Sequence, residues 1–248
     1  MHAIGIDIGG SGIKGAPVDL NTGELAAERF RIPTPEASTP QAVADIVAEV
    51  VEHFDLDSTI PVGVTFPAPI IHGVVPWIAN LDDSWEGVAV EQLLSERLNR
   101  PTLAVNDADA AGYAEVEYGA AKGCTGTVLV TTLGTGIGSA LIINEQLVPN
   151  TELGHLILPN GKEAEAYASS AVRSKKDLGW SSWAKRLQVV YSQYERLLNP
   201  DLFIVGGGVS RKSEKFLPLL DLTAPIRPAA LRNTAGIVGA ARLAADTL

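Results

Sequence analysis

Ala3-Ile4-Gly5-Ile6-Asp7-Ile8-Gly9-Gly10-Ser11-Gly12-Ile13-Lys14-Gly15-Ala16 is the stretch whose reading decides the fold. Ala3–Ile8 is a short apolar run rich in isoleucine, the signature of a buried strand. Gly10-x-Gly12-x-x-Gly15 matches a dinucleotide-binding pattern, but that pattern requires a helix after the glycines. Here Ile13–Asp19 is β-like and contains Pro17, so the glycines turn one strand back into the next. No G-x-x-x-x-G-K-[ST] loop occurs either. What remains is a tight hairpin whose backbone N–H groups at Gly9, Gly10, Ser11 and Gly12, with Lys14 beside them, could cradle a phosphate. Asp7 lies inside the apolar run, where a carboxylate without a partner is costly. It is placed to hold Mg²⁺ through water. A plain β-hairpin is the blander reading of the same residues.

Working outward, Glu24–Ile32 continues the meander after the turn signal Asn21-Thr22-Gly23. Pro40–Phe54 carries Val43, Ile46, Val47, Val50 and Val51 at helical spacing, with Thr39 as N-cap. Pro61–Phe66 and Thr102–Val105 read as strands, and Asp107 or Asp109 could cap the alanine-rich helix through Tyr118. The pattern then restarts. Thr127–Leu133 is a strand ending in glycines, Ser139–Ile143 the next strand, and Asn144-Glu145-Gln146 the turn of a second hairpin. Trp183–Leu198 is a helix, Asp201–Val205 a strand, and Thr234–Asp246 a closing helix. Gly12-Ile13-Lys14-Gly15-Ala16 aligns with Gly136-Ile137-Gly138-Ser139-Ala140, a weak internal repeat. Two such halves facing each other would place glycine turns on either side of one cleft.

Leu133-Gly134-Thr135-Gly136-Ile137-Gly138 sets three glycines at alternate positions, poor strand formers that need a reason. Cradling a second phosphate, with Thr132 beside it, supplies one. Gly206-Gly207-Gly208 would lie beside a nucleotide's ribose and base, or merely turn the chain. Asn106-Asp107 ends a strand, and strand ends in α/β sheets face clefts. An aspartate there can take the proton of an acceptor hydroxyl during phosphoryl transfer, or cap a helix. Glu152-Leu153-Gly154-His155 pairs a carboxylate with an imidazole, a set suited to the hydroxyls of a polyol. Glu163 and Glu165 are near in sequence, but no second His or Cys stands at ligand spacing, so a metal site is not expected there.

The chain has 248 residues, 46% of them hydrophobic, enough for one large or two small domains. Its single cysteine, Cys124, rules out a disulfide framework. No signal peptide or 18-residue apolar stretch is evident, so a cytoplasmic protein with no membrane partner is expected. The net charge is −10, which disfavours nucleic acid. That charge is uneven: residues 1–124 carry −13 and residues 125–248 carry +3. The second half could attract an anion.

Asp7-x-Gly9-Gly10, Asn106-Asp107, Gly134-Thr135-Gly136-Ile137-Gly138 and Glu152-x-Gly154-His155 occur in the order found in sugar kinases of the ROK family. The chain resembles that family over its whole length. Ile8–Gly15, Pro149-Asn150-Thr151-Glu152 and Asn233–Ala240 resemble its polyphosphate-using glucokinase branch in particular, including the type that takes polyphosphate or ATP and accepts glucose or mannose. The resemblance implies an α/β, two-domain actin/hexokinase-like (ribonuclease H-like) fold with an interdomain cleft. We place a small domain at 1–107 plus 235–248 and a large one at 108–234, each with a mixed five-stranded sheet. It also implies a phosphotransferase acting on the 6-hydroxyl of glucose, with mannose as a further acceptor and with Mg²⁺, and leaves open a homodimer, an ATP-only kinase for another hexose or an N-acetyl amino sugar, and a non-catalytic sugar-sensing protein. Asp107 would be the catalytic base. Asn106, Glu152, His155 and Glu165 would bind the sugar, as would Asn80 in the loop before Trp85. Two departures stand out. Most of the family carries a cysteine-rich zinc motif after the Gly-His pair, whereas Leu156–Glu165 has no cysteine, so no structural zinc is expected. The family's Pro-Gly-Pro sugar loop reads Pro67-Ala68-Pro69 here.

Polyphosphate is a long polyanion and needs positive charge extending from the catalytic centre. Arg173, Lys175 and Lys176, then Lys185 and Arg186, then Arg211, Lys212 and Lys215 could form such a track. Solvated helix faces are the blander reading of these lysines and arginines.

Overall fold

The computed structural model describes residues 1–78 and 82–248. In chain order the elements are β1 (His2–Gly9), β2 (Gly12–Asp19), β3 (Glu24–Leu25), β4 (Phe30–Ile32), α1 (Pro40–Glu52), β5 (Val62–Phe66), α2 (Val90–Leu98), β6 (Thr102–Asn106), α3 (Asp107–Glu117), β7 (Thr127–Leu133), β8 (Ile137–Ile143), β9 (Gln146–Val148), α4 (Ala164–Ala168), α5 (Ser170–Lys175), α6 (Trp180–Leu198), β10 (Leu202–Gly206), β11 (Ile226–Pro228) and α7 (Ala235–Thr247). The chain forms two compact units, Met1–Ala114 with Thr234–Leu248, and Glu115–Asn233. The first crossing falls inside α3, seven residues beyond the boundary expected after Asp107.

The first unit holds a sheet of order β3-β2-β1-β5-β6, with β4 also on β2. That makes six strands rather than the expected five. Glu24–Ile32 splits in two because Ala26–Arg29 is exposed and carries no alternating pattern. The period-two alternation of β1 sets its two faces. Ile4, Ile6 and Ile8 join Val62, Val64 and Phe66 of β5 in a core with Val43, Val47 and Val50 of α1 and Leu94 of α2. The opposite face is nearly bare: a Cβ on Gly5 would meet the Ile237 carbonyl, and one on Gly63 the Ala240 carbonyl. Gly5 and Gly63 are register partners across the β1–β5 pair, so α7 lies backbone-close over both strands. Thr39 caps α1, its hydroxyl accepting from Ala42 N–H at 3.4 Å, with Pro40 in the first turn.

The second unit repeats this plan. Its sheet runs β11-β10-β7-β8-β9, so that β9-β8-β7-β10-β11 matches β3-β2-β1-β5-β6 strand for strand. β1 is antiparallel to β2 and parallel to β5, as β7 is antiparallel to β8 and parallel to β10. The registers align as well. Ile13 pairs with Ile8 and Ile137 with Leu133, so Asp7 and Thr132 hold matching positions. The short sequence repeat thus marks a repeated sheet, and the second glycine turn is one residue shorter. Asn144 and Glu145 close the β8–β9 hairpin, both at positive φ (51° and 66°), as a tight two-residue turn requires. Trp183, Leu187, Tyr191 and Tyr194 of α6 pack at helical spacing against Leu129, Leu133 and Phe203.

Gly63→Ala is expected to destabilise the protein by about 1–3 kcal/mol or more, because the helix backbone over that glycine has nowhere to go. Chemical denaturation measures it. Unchanged stability would mean that α7 can move off the sheet.

Candidate functional site

In the first unit, the even-numbered isoleucines of β1 face the core, so Asp7 points to the opposite face. Its Oδ2 meets Lys14 Nζ at 2.8 Å and its Oδ1 accepts from Thr65 Oγ1 at 2.9 Å. Lys14 is Asp7's register partner on β2, and Thr65 its partner on β5. The carboxylate embedded in an apolar strand therefore has two partners, one of them charged. A Cβ on Gly236, at the start of α7, would lie 3.8 Å from Asp7 Cγ, so a small residue keeps this carboxylate approachable.

The Gly9–Gly12 turn is held from outside. Arg31 of β4 donates to the Ser11 carbonyl, and Thr34 donates to the Gly9 carbonyl. The Arg31 guanidinium lies where a Cβ of Gly12 would be. Arg31 also pairs with Lys14 in register, which places two cations at the first glycine turn. Neither Arg31 nor Thr34 was legible as a site residue, because their approach depends on the pairing of β4 with β2.

At the end of β6, Asn106 is the cap of α3. Its Oδ1 accepts from Ala108 N–H at 2.8 Å and Asp109 N–H at 3.2 Å. The expectation that Asp107 or Asp109 caps this helix is corrected: an Asn one position earlier reaches the second and third helical N–H groups, the standard capping geometry. Asp107 is exposed at the first helical position, while Asn106 is 7% exposed. Asn80 lies outside the described residues.

In the second unit, the Glu152–His155 segment is clamped on both sides of Glu152. Ser139 of β8 donates to the Thr151 carbonyl and accepts from Leu153 N–H at 3.0 Å. Tyr194 Oη donates to the Leu153 carbonyl at 2.9 Å. Glu165 of α4 accepts from Ile137 N–H at 3.2 Å. Its carboxylate occupies the space that a Cβ on Gly136 would take and lies 3.4 Å from one on Gly154. Glu165 thus joins the second glycine turn to the Gly154-His155 pair. Ala171 N–H of α5 donates to the Gly134 carbonyl at 3.0 Å. Gly207, at φ 80°, presses on the Leu133 backbone so closely that a Cβ would clash, so the third glycine cluster adjoins the second.

His155 Nδ1 lies 3.4 Å from Glu163 Oε2, and the ligand atoms of His155, Glu163 and Glu165 fall within 4.8 Å of one another. The three could share a cation, because an antiparallel bridge between Ile157 and Glu163 folds the chain back onto His155. Sequence spacing alone did not reveal that return.

Of the basic residues singled out, Arg173 stacks its guanidinium 3.7 Å from the centre of the Trp180 ring. Lys215 and Lys212 approach the same ring at 5.7 Å and 6.0 Å. Arg186 donates to the Tyr167 carbonyl at 3.0 Å and lies over that ring. Lys175, Lys176, Lys185 and Arg211 are exposed. Among the described residues no helix is long and apolar enough to cross a membrane.

The sequence pattern of the ROK family matches residues 3–172. An inorganic polyphosphate/ATP-glucomannokinase from Arthrobacter sp. strain KM is 52% identical, with a TM-score of 0.92 over 100% of this chain and 99% of that one. A polyphosphate glucokinase of Mycobacterium tuberculosis is 51% identical over 99% of this chain and 92% of its own length. A ROK family glucokinase from Streptomyces griseus, in complex with glucose and AMPPNP, is 25% identical with a TM-score of 0.80, over 99% of this chain and 100% of that one. The two sheets with their flanking helices are the α/β, actin/hexokinase-like architecture of these kinases.

Half-burial raises the pKa of Glu152 above the ordinary carboxylate value; the neighbouring Glu165 adds to the rise and His155 opposes it. The folded carboxyl then binds its proton more tightly than the unfolded one. Its contribution to stability is full below the ordinary value and is lost as pH rises through the raised one. Glu152→Gln is expected to remove that loss, so the variant gains on wild type as the pH rises from about 4 to about 8. Urea midpoints across that range test this, and parallel curves would show that burial does not burden Glu152.

Proposed function

The chain belongs to the ROK family, and from that membership we propose that it is a hexose kinase that moves the terminal phosphoryl group of inorganic polyphosphate or ATP to the 6-hydroxyl of glucose, and of mannose as well. The observation that carries the reading is at the β6–α3 junction. Asn106 caps α3, and the carboxylate of Asp107, at the first helical position, stands exposed beside it.

Asp107 accepts the proton of the 6-hydroxyl as that oxygen attacks the terminal phosphorus. The bond from phosphorus to the bridging oxygen breaks, and ADP or a polyphosphate shortened by one unit leaves. Asn106 keeps its amide N–H₂ for a sugar hydroxyl, since only Oδ1 is used in the cap. Glu152 and His155 accept from and donate to further hydroxyls, and the Ser139 clamp fixes their spacing. Glu165 has the same role beside the second glycine turn. The N–H groups of Gly134, Thr135 and Gly136, with Thr132, and those of Gly9–Gly12, with Lys14, receive phosphate oxygens. Gly206–Gly208 lies along the nucleotide when ATP is the donor.

Mg²⁺ would neutralise charge on the transferring phosphates. Asp7 fits a hold through water: each carboxylate oxygen has one protein partner, and each keeps a lone pair for a bound water. Arg173, Lys175, Lys176, Lys185, Arg211 and Lys212 supply the positive charge along which polyphosphate runs.

Asp107→Asn is expected to lower kcat about 10²–10⁴-fold while glucose still binds, since the amide holds the hydroxyl but cannot take its proton. Steady-state kinetics with calorimetric glucose titration checks both halves. Near-normal turnover would reduce Asp107 to a positioning group. Activity stripped by EDTA is expected to return with Mg²⁺, and full activity without it would remove the metal from the scheme.

A further inference from the structure

We propose that the indole of Trp180 organises a polyphosphate-specific anion site, with Arg173, Lys212 and Lys215 gathered around it, leading outward from the second glycine turn. The inference rests on the donor reading above and deepens it: it names which of the basic residues engage the polyanion and the aromatic residue that groups them.

The cations arrive on two chain segments, and both start at the same turn. Helix α5 begins where Ala171 N–H bonds the Gly134 carbonyl, and Arg173 follows two residues later. The short helix Gly208–Lys215 begins where Gly207 presses on the Leu133 backbone, and it carries Lys212 and Lys215. Both segments end at one ring. Arg173 Cζ lies 3.7 Å from its centroid, Lys215 Nζ 5.7 Å and Lys212 Nζ 6.0 Å. Like charges do not gather without cause. The π face of the indole offsets part of their repulsion, and an anion offsets more. The ring is itself fixed, stacked on buried Phe216 at 6.0 Å and an interplanar angle of 11°, and edge-on to buried Trp183.

A second, independent observation points to a ligand. Arg173 Nε is buried and has no hydrogen-bond acceptor in the structure. A buried donor left unmade is costly, and with no acceptor there the half-buried guanidinium keeps its charge uncompensated on that edge, which favours an anion beside its exposed part. The geometry suits a linear polyanion better than a nucleotide. A phosphate chain continuing past the glycine turn repeats its charge along its length, whereas ATP ends its charge after three phosphates. Positive charge spaced along two segments that lead away from the turn matches the former.

The test is the ratio of kcat/KM with long-chain polyphosphate to kcat/KM with ATP, at fixed glucose, for wild type, Arg173→Ala, Trp180→Leu and the double variant Lys212→Ala with Lys215→Ala. The ratio is expected to fall about tenfold in each variant, and added salt to lower the wild-type ratio more steeply than that of the lysine pair. The lysines are exposed, so this pair keeps the test valid if Arg173→Ala or Trp180→Leu fails to fold. An unchanged ratio in the lysine pair overturns the proposal. So does a loss confined to ATP, which would assign the ring to the nucleotide. Wild-type protein that turns over ATP but not polyphosphate would instead sink the donor reading, and this site with it.

Discussion

Helix α7 rests on β1 and β5 through backbone contact, with no side chain at Gly5 or Gly63 to hold it off. The rest of the first unit depends on that approach. The residues of β1 and β5 on this face include Gly5, Asp7, Gly63 and Thr65, and Gly236, in the first turn of α7, lies near Asp7. A larger residue at either sheet glycine would lift the helix from the strands that present the Asp7–Thr65 pair. Gly239, pressed on the Ala110 carbonyl, locks the same helix to α3, whose first residue is Asp107. One close-packed helix thus braces both the strand that carries Asp7 and the helix that Asp107 opens.

The two sheets share a strand order and a register, yet the matching positions have diverged in chemistry. Asp7 on β1 corresponds to Thr132 on β7, and Lys14 on β2 to Gly138 on β8. The first turn therefore gathers charge: a carboxylate, Lys14 and Arg31. The second turn is nearly charge-free in its backbone and draws its charge from elements that follow it, Glu165 toward the Gly154-His155 pair and Arg173 toward Trp180.

Much of this was legible in the sequence because it is local. Ala3–Ile8, Thr127–Leu133 and the Trp183–Leu198 helix declare themselves by periodicity, and the Gly12–Ala16 and Gly136–Ala140 match foretold the repeated sheet. What escaped depends on chain segments brought together from afar. Arg31 reaches Gly12 only through the β2–β4 pairing. Glu163 reaches His155 only through a bridge at Ile157. Trp180 collects cations from two segments separated by α6 and β10. The capping of α3 was assigned to Asp107 or Asp109, because Asn and Asp are equally good caps and only the folded geometry shows that Asn106 does it. The break of Glu24–Ile32 into two strands fell in an exposed stretch, Ala26–Arg29, without a pattern to read.

The most direct test of the account is a coupled measurement of hexose 6-phosphate formed by the wild-type chain from glucose, Mg²⁺ and either ATP or long-chain polyphosphate. The account predicts glucose 6-phosphate from both donors, with polyphosphate shortened as product appears. No glucose 6-phosphate from either donor would contradict it.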